Sequence, residues 1–141
     1  MPDAGARATV VVASTDPTVC EVLARVVEAG GHEALRISDG AQVSGAVLSA
    51  PADGVVLDLG ATNAEQLRAL RTGGSDRGES VRAVVLSTGP ANSLLAWQSG
   101  ADAVLTRPFD AADLQAALRS VLDRSDADRR AERQRQIAAA S

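Results

Sequence analysis

The chain has 141 residues, 45% of them apolar and 23% charged, with a formal net charge of −4. That length fits one domain with a real core; the acidic balance argues against general affinity for nucleic-acid phosphates, and no apolar run approaches the roughly 20 residues that span a bilayer. Cys20 is the only cysteine, which excludes an internal disulfide or a cysteine-based zinc site, and Met1 to Thr9 lacks the apolar stretch of a signal peptide, so a cytoplasmic protein is expected.

One Trp, one Phe and no Tyr leave Val, Leu and Ala to build the core, which suits buried strands covered by helices. Val10 to Ala13 is a β-branched apolar run and predicts a first strand. Asp16-Pro17 then predicts a helix start, with Asp16 as cap and Pro17 in the first turn. Val19, Cys20, Val22, Leu23, Val26 and Val27 follow at helical spacing until Gly30-Gly31 stops them. Glu33 to Ser38 predicts a second strand and His32 a surface loop. Asp39 predicts a cap for a shorter helix through Val43, Val47 and Leu48 that ends at Pro51.

Gly54 to Leu59 predicts the third strand and Asn63 to Arg71 a helix with Leu67 and Leu70 inward. Residues 73–78 read as a flexible polar loop. Val81 to Ser87 predicts the fourth strand, and Ala91 to Ser99 a helix closed by Gly100. Ala103 to Thr106 predicts the fifth strand. Asp110 caps a last helix with Leu114, Leu118, Val121 and Leu122 inward. Five strand–helix repeats predict an α/β fold: a three-layer, doubly wound, five-stranded parallel sheet over residues 8–123. In such sheets the working site lies at the carboxyl ends of the strands.

Residues 124–141 differ in character. Arg124, Arg129, Arg130, Arg133 and Arg135 face Asp126, Asp128 and Glu132, for a net +2, which leaves −6 on the first 123 residues. Ile137 is their only large apolar side chain and no amphipathic stripe runs through them. They are expected to form a C-terminal helical or disordered extension.

Four segments resemble the receiver domain of bacterial response regulators (CheY-like, flavodoxin-type fold). Val55-Val56-Leu57-Asp58-Leu59 is similar to the third strand ending in the phospho-accepting aspartate. Val84-Val85-Leu86-Ser87 is similar to the fourth strand ending in the family's Ser/Thr. Ser99-Gly100-Ala101-Asp102 through Leu105-Thr106-Arg107-Pro108-Phe109-Asp110 follows the family's Gly-Ala-Asp to Leu-Thr-Lys-Pro-Phe-Asp segment, the most specific of the four. The Asp-Pro pair opening the first helix also fits. The resemblance implies a phosphoacceptor position at Asp58 and switch positions at Ser87, Arg107 and Pro108, with a cis bond before Pro108. It also implies a partner face on the fourth helix, fifth strand and fifth helix that includes Leu94, Leu95, Trp97 and Val104.

The sequence departs from the family where the metal should bind. Ser14 and Thr15 stand in place of the two acidic residues after the first strand, with Asp16 next to them as an acidic neighbour better suited to capping. Arg107 replaces lysine, Gly60-Ala61 replaces the Met-Pro pair, and Val104 replaces the switch aromatic. Mg²⁺ wants near-octahedral oxygen ligands with one or two carboxylates. Asp58 alone would supply one, so Mg²⁺ binding is expected to be weak or absent, with no other metal or cofactor. Arg107 carries a permanent charge that can pair bidentately with a carboxylate, and an Asp58–Arg107 pair is expected to take the ion's place.

Three functions compete. In the first, a degenerate receiver without catalytic residues signals by contact with a kinase or effector, or as a homodimer through that face or the extension, with no direct nucleic-acid or membrane binding. In the second, Asp58 is still phosphorylated by a histidine kinase. A flavodoxin-like cofactor binder is the third. It lacks a glycine-rich phosphate cradle, and His32 is the only histidine available as a base.

Overall fold

A computed structural model describes residues 8–140. The stretch read above for a signal peptide lies outside them up to Arg7. Five strands, β1 (Thr9–Ser14), β2 (Glu33–Ile37), β3 (Gly54–Asp58), β4 (Arg82–Ser87) and β5 (Ala103–Thr106), form one parallel sheet in the order β2-β1-β3-β4-β5. This is the doubly wound arrangement expected, and its switch point falls between β1 and β3.

Alternation along each strand sorts the core into two faces. Val10, Val12, Val56, Val84 and Leu86 point to the side covered by α1 (Pro17–Ala29) and α6 (Ala111–Asp123). Val11, Ala13, Val55, Leu57 and Val85 point to the side covered by α2 (Val43–Ser49), α3 (Asn63–Thr72) and α5 (Pro90–Ser99). Local chemistry fixes the helix starts. The Asp16 carboxylate accepts from the Thr18 and Val19 N–H groups ahead of Pro17, and Asp110 and Asp113 form a reciprocal capping box on α6. Cys20 is buried and its thiol donates to the Val12 carbonyl.

The structure corrects several expectations. Asp39 caps a 3₁₀ turn (Gly40–Gln42) that precedes α2, rather than α2 itself. His32 lies in the expected loop between α1 and β2 but is half-buried there: its Nδ1 accepts the Ala8 N–H at 3.1 Å. Burial first, and Arg119 second, hold its pKa below the ordinary imidazole value. Residues 73–78 are not wholly loop. Ser75 accepts the Gly78 N–H and starts a short helix, α4 (Asp76–Ser80), so the fourth helix of the family pattern is α5 here.

Of the two forms expected for the C-terminal stretch, the structure has the helical one, separate from α6. The chain turns extended at Arg124, and α7 (Asp126–Ala140) begins behind Ser125, whose hydroxyl accepts the Asp128 N–H. α7 packs against α5 and is held by charge. Asp102, with no exposed side-chain surface, accepts from Arg129 Nε at 2.8 Å, Arg133 Nη2 at 2.9 Å and Arg71 Nη2 at 3.0 Å, and also from the Ala83 N–H. Burial opposes the charge on Asp102, but its bonds to Arg129, the charge of Arg71 and the Ala83 N–H outweigh that and hold its pKa below the carboxylate norm. Arg129, only 5% exposed, and Arg71 donate further to the carbonyls of Gly78, Glu79, Val81 and Gly100, and Arg129 Nη1 donates to the Asp126 carboxylate. Apolar periodicity is blind to such an anchor.

Gly100 ends α5 in the left-handed region at φ 112°, where L side chains are strained. A Cβ there would stand 2.8 Å from Arg71 Cγ, so the absent side chain is also what lets Arg71 through to Asp102.

Candidate functional site

Register places the first two site residues. β1 and β3 pair so that Ser14 lies beside Asp58 at their carboxyl ends, and the Ser14 hydroxyl donates to Asp58 Oδ2 at 3.0 Å. The next contribution comes from the far side of the sheet. β5 ends opposite Ser87, and Arg107 follows directly, joined to Pro108 by a cis bond. Its guanidinium reaches across to Asp58, with Nη1 to Oδ1 at 2.7 Å and Nη2 to Oδ2 at 3.1 Å. This is the parallel two-point geometry that makes Arg–carboxylate pairs strong. The Phe109 ring lies 5.6 Å from the guanidinium carbon, within cation–π range.

Both oxygens of Asp58 are therefore engaged, one by Arg107 and the other by Arg107 and Ser14. Asp58 is 15% exposed and Arg107 36%, so the pair is partly screened by water. The remaining neighbours add no carboxylate. Thr15 is exposed, and Asp16 turns its carboxylate back onto the first turn of α1 while its backbone N–H donates to Ser14 Oγ. This donor set does not fit a hard divalent cation. It offers one carboxylate already held by a guanidinium, two neutral hydroxyls, and a second carboxylate committed to a helix cap.

Ser87 does not touch Asp58. Its hydroxyl donates to the Gly89 carbonyl and accepts from Ser93 and the Gly89 N–H, knitting the turn into α5. Ser87, Asp58, Arg107, Asn63, Asn92 and Leu95 share the wall of a small pocket of about 80 Å³. Asn63 is a site residue that sequence reasoning missed. Its Oδ1 accepts the Leu59 N–H at 2.7 Å and its Nδ2 donates to the Leu86 carbonyl at 3.1 Å, tying the loop after β3 to the end of β4. A polar amide at the first position of α3, five residues past the strand-end aspartate, is the signal that could have found it.

The expected partner face is only partly exposed. Leu95 is open to solvent, while Leu94 and Val104 are half-buried. Trp97 is a correction. It is 9% exposed and packs in the core with Ala96 and Ala101, because the inward face of α5 falls on 96 and 97 rather than on 94 and 95.

No protein-family model matches the sequence. Among curated proteins the chain is 31% identical over 123 residues, 85% of its length, to the DNA-binding response regulator MtrA of Mycolicibacterium smegmatis, and equally to that of Mycobacterium leprae. The chain spans about half the length of these relatives, 53%. Among solved structures it resembles chemotaxis protein CheY4 of Vibrio cholerae, with a TM-score of 0.72 at 20% identity, over 82% of this chain and 99% of that one. It also resembles the receiver domain of sensor histidine kinase PA1611 from Pseudomonas aeruginosa, with a TM-score of 0.73 at 17% identity, over 84% and 100%. That domain coordinates a magnesium ion in its active-site cleft. At these identities the structural likeness speaks for the fold.

Proposed function

Because the chain is a response-regulator receiver domain, part of two-component signalling, we propose that it is an atypical member that works through protein contact rather than Mg²⁺-dependent phosphorylation. The observation that carries this reading is the two-point Arg107–Asp58 pair, with Ser14 on the same carboxylate. Phosphoryl transfer to an aspartate needs a free carboxylate oxygen as nucleophile and a cation to neutralise charge on the transferring oxygens. Here the nucleophile is tied to a fixed cation, and the residues that would recruit a mobile one are hydroxyls. The domain is held in one electrostatic state, and partners read its surface as it stands. It is a signalling module and not an enzyme in the ordinary sense.

The partner is a protein, a kinase or a downstream effector, or a second copy. It docks on the exposed part of the α5–β5–α6 face around Leu94, Leu95 and Val104. DNA binding stays with the relatives that carry it in their names. Among the described residues no helix is long and apolar enough to cross a membrane.

A second reading keeps Asp58 as phosphoacceptor for a histidine kinase. What favours it is Arg107 itself, since a guanidinium that holds a carboxylate can equally hold phosphoryl oxygens. The deciding experiment is intact-mass spectrometry after incubation with acetyl phosphate and Mg²⁺, with Asp58→Ala as control. No adduct is expected. A phosphate-mass adduct that Asp58→Ala abolishes would replace the first reading with the second.

A further inference from the structure

A larger cleft lies at the opposite end of the sheet, walled by α3, α4, the end of α5 and α7, with a volume of about 620 Å³. That is within the roughly 300–1,000 Å³ of small-molecule sites. Five guanidiniums line it: Arg68, Arg71, Arg129, Arg130 and Arg133. The carboxylates on its wall are Asp76, Glu79 and Asp126, and Asp126 is already paired to Arg82 and Arg129. Beneath the wall a single carboxylate, Asp102, is shared by three of the arginines. Positive charge is in excess, and burial with repulsion from Arg129 and Arg133 pulls the Arg71 pKa down to about 10 despite Asp102.

The arginines differ in what they have left to give. Arg71 and Arg129 are committed to Asp102 and to backbone carbonyls, and Arg129 also to Asp126. Arg68 spends one nitrogen, Nη2, on Ser99 Oγ. Arg133 spends Nε on the Ala101 carbonyl and Nη2 on Asp102, keeping Nη1. Arg130 donates to no other described residue, yet it lies on the cleft wall. Three guanidiniums with spare planar donors, from α3 and α7, thus line the same cleft as two more deeply buried, committed ones.

We propose that this cleft binds a small phosphate-bearing ligand, held by the free donors of Arg68, Arg130 and Arg133, and that the ligand clamps α7 onto the domain. Guanidiniums recognise phosphate oxygens in pairs. One negative charge of the ligand would offset the single excess guanidinium, five against the carboxylates of Asp76, Glu79, Asp126 and Asp102, and its bonds would bridge α3 to α7.

The test uses the full chain and inorganic pyrophosphate as probe, followed by Trp97 fluorescence, thermal midpoint and tryptic cleavage within α7. Saturable binding is expected, with a raised midpoint and slower cleavage. The double variant Arg68→Ala/Arg130→Ala leaves the Asp102 cluster intact, so its ligand-free midpoint is expected to change little. Its Kd is expected to rise by about a hundredfold, roughly tenfold per guanidinium. Arg107→Ala, at the other end of the molecule, is expected to bind like the unaltered chain. The proposal is overturned if no saturable binding occurs, if the double variant binds as tightly, if Arg107→Ala abolishes binding, or if sulfate at matched ionic strength gives the same response.

Discussion

Replacing Asp102 with Asn tests how α7 is held. The change preserves shape but removes the one negative charge shared by Arg71, Arg129 and Arg133, whose side chains are 11%, 5% and 24% exposed. Each carboxylate oxygen now accepts from at least two donors, and the Ala83 N–H shares Oδ2 with Arg71 and Arg129. An amide keeps one oxygen and turns its NH₂ toward guanidiniums. Breaking a buried ion pair from one side costs about 3–5 kcal/mol, because the partner charge stays buried. With about 2–4 °C per kcal/mol for a chain near this size, the midpoint is expected to fall on the order of 10 °C. Circular dichroism with Trp97 fluorescence gives the midpoint, and trypsin, which cuts at arginine, reports release of α7. Arg135→Ala, on the exposed side of α7, is the control and is expected to change little. A midpoint for Asp102→Asn within a degree or two of the unaltered chain would refute the charge-anchored account of α7.

Other outcomes follow from the same structure. His32 has a folded-state pKa below its ordinary 6.5, so its contribution to stability is complete above about pH 6.5 and is lost as pH falls toward the folded value; chemical denaturation of the unaltered chain should show this slope, and His32→Gln should remove it. Arg107→Ala breaks a partly exposed pair and is expected to cost about 1 kcal/mol or less. The variant should still show no saturable Mg²⁺ binding in the micromolar range by calorimetry, because Ser14 and Thr15 remain neutral; micromolar binding would refute the donor-set argument. Leu118→Ala empties a fully buried position between α6 and the sheet, and urea denaturation is expected to show a loss of about 2–5 kcal/mol.

How far the sequence could be read depended on the kind of interaction. Strands announced themselves through β-branched runs such as Val10 to Ala13, and α1 and α6 through their aspartate caps, because these signals are local. The pairing of Ser14 with Asp58 follows from the order of the strands, and the charge complementarity of Asp58 and Arg107 was visible once both were placed at strand ends. Asp102 was visible only as a family marker, since nothing nearby in the chain reveals that it collects arginines from positions 71, 129 and 133. α7 was missed as a docked helix for the same reason. Trp97 was misplaced because three large apolar residues in one turn of α5 left its inward side ambiguous, and packing against α3 decided it.

The missing side chain at Gly100 reaches further than its own turn. Any larger residue there would displace Arg71, and Arg71 gone would leave Asp102 with fewer partners to share with α7. Positions 71, 100, 102, 129 and 133 therefore constrain one another across the chain. Among related chains they are expected to change together or not at all, so that a relative with a bulkier residue at 100 should also lack the arginines that seat the C-terminal helix.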